Sequence, residues 1–128
     1  MNTTQKIAVL LLSDPKSGSE EALGRLFNAL ATVYEFDQRG DEVTLVFHGT
    51  GTRWPAELDK EAHPAHELWK AVGHRVAGVS CGCADVFSSS EEIKKSGYDL
   101  LKDAPIPGTS GVASVAKLTA DGYTVLTF

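Results

Sequence analysis

After its opening lysine, the run Lys6-Ile7-Ala8-Val9-Leu10-Leu11-Leu12 is apolar at every position. A strand with one wet face alternates apolar and polar residues, whereas a strand covered on both faces reads as a continuous apolar run. The run is too short to cross a bilayer as a helix. Ser13-Asp14-Pro15-Lys16 follows it without the small-residue signature of a secretory cleavage site. It therefore predicts a first strand inside a mainly parallel sheet, and such a sheet needs helices over both of its faces.

The rest of the chain supplies those helices between further strands. Asp14-Pro15 breaks the chain, and Ser17 with Glu20 has the capping-box spacing that opens a helix. Leu23, Leu26, Phe27, Leu30, Val33 and Tyr34 then recur at spacings of three and four, an apolar stripe that can lie on the sheet, and Gly40 marks its end. Glu42 to Phe47, rich in branched and aromatic residues, predicts a second strand, with His48-Gly49-Thr50-Gly51 as a permissive loop at its carboxyl end. Trp54-Pro55 suggests a turn, and Glu57 to Lys60 one helical turn. Pro64 suits the first position of a helix that runs through Leu68, Trp69 and Val72 to Gly73.

Arg75 to Phe87 predicts a short central strand running into a tight glycine turn that holds Cys81 and Cys83, just before residues able to open a helix. Ser89 and Glu92 form another capping box, for a short helix through Ile93 that stops at Gly97. Tyr98 to Ile106 reads as irregular. Ser110 to Leu118 fits a last helix with Val112, Val115, Ala116 and Leu118 inward and Gly122 as its stop, and Tyr123 to Phe128 closes the chain as a strand. Strands alternating with helices argue for a three-layer α/β/α sandwich around a mainly parallel, five-stranded sheet, formed by residues 1–128 as a single domain.

Charge and cysteine usage narrow the function classes. Twelve basic residues against 17 acidic ones give a net charge of −5, and no Lys/Arg run or basic helix face offsets it, so nucleic acid is not an expected partner. Neither is a membrane. Two cysteines one residue apart are no disulfide framework in a chain of 128 residues, which points to a reducing compartment, the cytoplasm.

Cys81 and Cys83 carry the sharpest chemical signal. A thiol at a strand's carboxyl end and a helix start meets free N–H groups, which favour its anion and make it a nucleophile for persulfide or disulfide exchange. The plain alternative is that both are small apolar fillers. His63 and His66, three residues apart, could join Cys81 and Cys83 in a two-nitrogen, two-sulfur metal set, although the spacings match no standard finger and surface histidines are the simpler reading. His48 falls on the same sheet edge as the cysteines, where an imidazole can pair with a thiolate or an acid. The loop Gly49-Thr50-Gly51-Thr52 lacks the lysine of a phosphate loop and reads as a turn, and Trp54 and Trp69 read as core or interface residues.

With these residues in view, the chain resembles the DsrE/DsrF-like family of small sulfur-relay proteins. The carriers are the opening strand Lys6 to Leu12, the helix end Ala31-Thr32-Val33-Tyr34-Glu35-Phe36, and the segment Val43-Thr44-Leu45-Val46-Phe47-His48-Gly49. Val79-Ser80-Cys81-Gly82-Cys83-Ala84 and Gly122-Tyr123-Thr124-Val125-Leu126 complete them. The resemblance implies the α/β fold above and a homo-oligomer, trimer or hexamer. It also implies a persulfide carried on a cysteine after the central strand, exchanged with sulfur donor and acceptor proteins without a cofactor. That position falls on Cys81 or Cys83, because relatives place two residues between paired cysteines where this chain has one. His48 is the candidate pairing group. The alternative is a small-ligand or metal-binding module, or a structural subunit without chemistry of its own.

Overall fold

The computed structural model describes residues 4–128. Five strands, β1 (Lys6–Leu11), β2 (Glu42–Phe47), β3 (Val76–Ser80), β4 (Leu100–Leu101) and β5 (Thr124–Thr127), form one sheet in the order β4-β3-β2-β1-β5. Every pairing is parallel, with Lys6 opposite Glu42, Ile7 opposite Thr124, Phe47 opposite Val79 and Val79 opposite Leu100. β1 lies between β2 and β5, and Ile7 to Leu11 are buried on both faces as the sequence predicts, whereas Leu12 follows the strand and is exposed.

The two faces are covered unequally. Ile7, Val9 and Leu11 join Val43, Leu45 and Phe47 in the main core, closed by α1 (Glu20–Gln38), α2 (Trp54–Leu58), α3 (His66–Val72) and α5 (Ser90–Ser96) through Leu26, Leu58, Trp69 and Ile93. Each such side chain removed from water contributes about 1.5–3 kcal/mol, so this face dominates the stability. Trp69 meets the edge of Phe47 at 5.7 Å and donates its Nε1–H to Asp59 at 2.9 Å, which satisfies the polar end of a buried indole. On the opposite face Ala8, Leu10, Val46 and Ala113 are buried, the last three as a small cluster with Leu118 of α6 (Val115–Ala120), Leu101 and Val125.

Several local expectations shift once side chains meet. Asp14 accepts a hydrogen bond from the backbone N–H of Lys16 and makes a separate 3-10 turn of Pro15–Ser17, closed by left-handed Gly18. The cap of α1 is therefore Ser19, which accepts from Ala22 N–H, and not Ser17. The inward stripe of α1 is Ala22, Leu26, Ala29, Leu30 and Val33, because alanines let the helix approach the sheet. Leu23, Phe27 and Tyr34 face outward, Phe27 with 54% of its surface exposed. Trp54-Pro55 is the start of helix α2 and not a turn. α3 begins at His66 and not Pro64, since His63 Nδ1 accepts from Ala65 N–H and holds those residues in a turn.

The later half shows three further differences. Ser89 stands at the cap position of α5, yet its hydroxyl donates to Thr52 Oγ1 and leaves the helix N–H groups alone. The segment read as irregular contains β4, two residues that no periodicity can reveal. The last helix starts at Val115, because Gly111 is left-handed (φ +103°), Val112 bridges Ala104 in antiparallel fashion, and Ser114 caps by accepting from Lys117 N–H. Val112 and Leu118 are half-buried, whereas Val115 and Ala116 point to solvent.

Gly78 is what brings β4 alongside β3. Its φ of +151° accompanies a register shift between Leu45 and Val46, and a Cβ there would stand 2.5 Å from the Asp99 carbonyl oxygen. Gly24, by contrast, lies inside α1 where a methyl group would meet only open space. Gly78→Ala should therefore destabilise by about 3 kcal/mol and Gly24→Ala should stabilise by ~1 kcal/mol, opposite signs that urea denaturation of the two variants checks.

Candidate functional site

β3 and β4 leave the sheet in opposite directions. After β3 the chain enters α4 (Cys81–Val86) and α5, whose Ala84 and Ile93 belong to the main core; after β4 it passes through Ala113 to α6 on the thin face. Neighbouring parallel strands that diverge in this way open a crevice at their carboxyl ends, where ligands bind in open α/β sheets. Cys81 stands at that point.

No loop separates the strand from the helix. Ser80 ends β3 and Cys81 begins α4, so both thiols lie in the first helical turn and not in a preceding glycine turn. The reason is that segment 110–113, arriving after β4, supplies the contacts a turn would have made. Ser80 Oγ accepts from Ala113 N–H at 3.1 Å, Gly82 N–H donates to Gly111 O at 2.7 Å, and Ser110 Oγ lies 3.3 Å from Cys81 Sγ. Gly82 and Gly111 are required for this approach. A Cβ on Gly82 would meet Gly111 O at 3.0 Å, and one on Gly111 would meet Lys102 O at 2.7 Å.

The two thiols differ. Both are free; Cys81 is buried with 9% of its surface left, while Cys83 is half-exposed. One helical turn after Cys81, Asp85 accepts hydrogen bonds from Ser110 Oγ at 2.6 Å and from Ser90 Oγ. These two hydroxyls hold its carboxyl below the usual carboxylate range against a smaller desolvation effect. Val86 beside it keeps 66% of its surface exposed.

His48 follows β2 on the same edge, one residue past the Phe47–Val79 pair and hence level with Ser80. Its backbone N–H donates to Leu11 O at 3.0 Å, and the ring is buried. Among the described residues Nε2 has no hydrogen-bond partner, and no bond joins the ring to either thiol. Burial depresses its proton affinity, so the imidazole is neutral at pH 7. The loop Gly49–Arg53 is a 3-10 turn, tied to the start of α5 by Ser89 through Thr52, whose hydroxyl donates to Gly49 O.

The histidine pair is not gathered with the cysteines. His63 meets Trp54 edge to face at 6.1 Å, and His66 donates its Nδ1–H to Leu58 O at 2.7 Å. Among the described residues no group of three or more His, Cys, Asp and Glu side chains is placed to hold a metal ion, and His63, His66, Cys81 and Cys83 are not brought together as such a set. Sequence reasoning missed Asp85 and Ser110. Asp85 could have been found from its four-residue offset to Cys81, one helical turn, but Ser110 is 29 residues away and meets Cys81 only through the fold.

Fold and site together define a doubly wound α/β domain with two free thiols at its strand-divergence point. The chain belongs to the DsrE/DsrF-like family, whose model matches residues 5–128. It is also similar to an uncharacterized protein of Methanocaldococcus jannaschii, 30% identical over 69 residues that cover 54% of this chain and 56% of the relative, so the match spans just over half of each. No solved structure matches the chain. Among the described residues no helix is long and apolar enough to cross a membrane.

The buried His48 ring gives a pH signature. An ordinary imidazole takes up a proton as pH falls through about 6.5. The unfolded chain does so while the buried ring resists, so the unfolded state binds more protons and stability declines as pH drops below that value. His48→Gln should flatten the decline between about pH 6.5 and pH 5, a loss of at most ~1.4 kcal/mol per pH unit in the parent chain, measured by chemical denaturation at successive pH values.

Proposed function

We propose that this chain is a cytoplasmic sulfur-relay protein that takes sulfane sulfur as a persulfide on Cys81 or Cys83 and passes it to a partner protein's thiol. The observation that carries the reading is the pair of free thiols at the carboxyl-end crevice of a DsrE/DsrF-like chain, one of them partly exposed. In the loading step a cysteine thiolate attacks the outer sulfur of a donor persulfide. The donor's S–S bond breaks, its own sulfur leaves as a thiolate, and a new S–S bond forms on the protein. In the unloading step the acceptor's thiolate attacks that outer sulfur and the protein's cysteine leaves. Each step moves one sulfur atom between thiols and needs no external oxidant or reductant. His48, neutral and unbonded to sulfur in the resting chain, pairs with a group that the donor or acceptor brings to this edge.

The working form is a homo-oligomer, a trimer or hexamer. Leu23, Phe27 and Tyr34 stand in line at spacings of four and seven along the solvent side of α1, an apolar stripe suited to a second copy of the chain. A second reading is favoured by a hollow of about 630 Å³ on the thinly covered sheet face, lined by Val46, Ala77, Leu101, Ala113, Lys117 and Tyr123. Its size suits a small ligand, in which case the chain is a binding module or structural subunit and the thiols are incidental.

Incubation with a persulfide donor followed by mass spectrometry should reveal an adduct of about +32 Da per sulfur, retained in one of the variants Cys81→Ser and Cys83→Ser and absent from the double variant. An adduct on neither cysteine sinks the relay and leaves the binding module. Light scattering should give a mass three or six times the 13.7 kDa chain, reduced by the paired substitution Phe27→Asp and Tyr34→Asp. A monomeric parent chain would remove the assembly from the proposal.

A further inference from the structure

Cys81 and Asp85, one helical turn apart on α4, and Ser110 from the returning segment lie on one hydrogen-bonded line, with 3.3 Å from sulfur to the serine oxygen and 2.6 Å from there to Asp85 Oδ2. The direction of that line follows from counting protons. A serine hydroxyl has one proton and two lone pairs, and an ionised carboxylate can only accept. Asp85 is ionised at neutral pH, so the Ser110 proton points at Asp85 and only lone pairs face the sulfur. Cys81 must then be the donor, as a neutral S–H. The short O–H to carboxylate bond is the strong member of the pair and the S–H bond the weak one, so Asp85 decides how Ser110 turns.

A thiolate at Cys81 would lose its partner in this arrangement. It would face a lone pair on Ser110 and, beyond it, the Asp85 charge. Ser110 can stabilise the anion only by rotating its proton from Asp85 to sulfur. Cys83, two residues on and half-exposed, has no such partner among the described residues. Segment 105–111 contains no ionisable residue, and His48 at the end of β2 is neutral. Lys94 of α5 acts on Asp85, Glu91 and Glu92 in the first turn of α5 line the same hollow as Asp85, and Lys102 just after β4 abuts Gly111.

We infer that Asp85, acting through Ser110, is a positioning residue that holds Cys81 as a protonated thiol, so that Cys83 is the sulfur an incoming reagent meets first and Cys81 becomes nucleophilic only when Ser110 turns from the carboxylate to the sulfur. Its use in a relay rests on the function proposed above: sulfur is received on Cys83, and Cys81 is held back until a partner disturbs Asp85 or the Ser110 segment. The proton arrangement itself is independent of any sulfur donor, and it is tested without one.

The experiment is alkylation by iodoacetamide over roughly pH 6 to pH 9, with each cysteine quantified by peptide mass spectrometry. The thiolate attacks the iodine-bearing carbon, a C–S bond forms, iodide leaves and the thiol proton passes to buffer. In the parent chain Cys83 should react ahead of Cys81. Asp85→Ala should speed Cys81 about tenfold at neutral pH, the factor one hydrogen bond to a charged group supports, and should move its pH profile to lower pH while Cys83 keeps its own. Ser110→Ala should not accelerate Cys81, the double variant should lose the gain, and Ser110→Thr should behave as the parent. If Asp85→Ala does not fold, Asp85→Asn decides by the same comparison. Cys81 unchanged when the carboxylate is removed, or accelerated equally in the double variant, would overturn the inference. A failed persulfide experiment beside this alkylation pattern would overturn only the relay.

Discussion

The structure depends on burying β1 on both faces of an all-parallel sheet. A strand with no wet face must have its backbone groups bonded to neighbours on both sides, and β1 has β2 and β5 there. Parallel neighbours cannot be joined by hairpins, so each return of the chain crosses a face of the sheet, and right-handed crossovers dictate which face. The chain moves outward from β1 to β4 over one face. To reach β5, on the other side of β1, it must come back over the opposite face. The thick and thin layers, and the parting of the loops after β3 and β4, follow from that single reversal.

The candidate site is a product of the same reversal. Segment 110–113 returns past the carboxyl end of β3 and is fastened there by backbone and hydroxyl bonds to Ser80, Cys81 and Gly82. Glycine is needed on both sides, because the two backbones approach more closely than a Cβ allows. Function and packing therefore share residues at this point. The contacts that hold the returning segment on the sheet also set the surroundings of the buried thiol, and they leave its neighbour two residues on partly exposed.

Apolar patterning made the layers legible. Runs of branched residues marked β1, β2 and β3, and glycines at 40, 97 and 122 marked helix ends where the structure has left-handed turns. What patterning could not show was which of two adjacent stripes on α1 turned inward, since Leu23 and Phe27 are as apolar as Leu26 and Leu30. Nor could it show where α1, α3 and α6 begin. Those starts are set by Asp14, His63 and Ser114 bonding to particular backbone N–H groups, competitions that a spacing rule does not resolve. The dipeptide strand β4 exists only because Gly78 admits it.

By itself, then, the sequence determined the class of fold, the positions of its main strands along the chain and the edge on which Cys81, Cys83 and His48 lie, because strand burial and helix periodicity are local properties of the chain. Only the tertiary structure decided that Cys81 is buried and Cys83 half-exposed, that His48 bonds to neither, that His63 and His66 stay apart from the sulfurs, and that Ser110 and Asp85 belong to the site. Those are relations between segments far apart in the chain, Cys81 and Ser110 by 29 residues, fixed by how the chain crosses the sheet, and no local pattern encodes them.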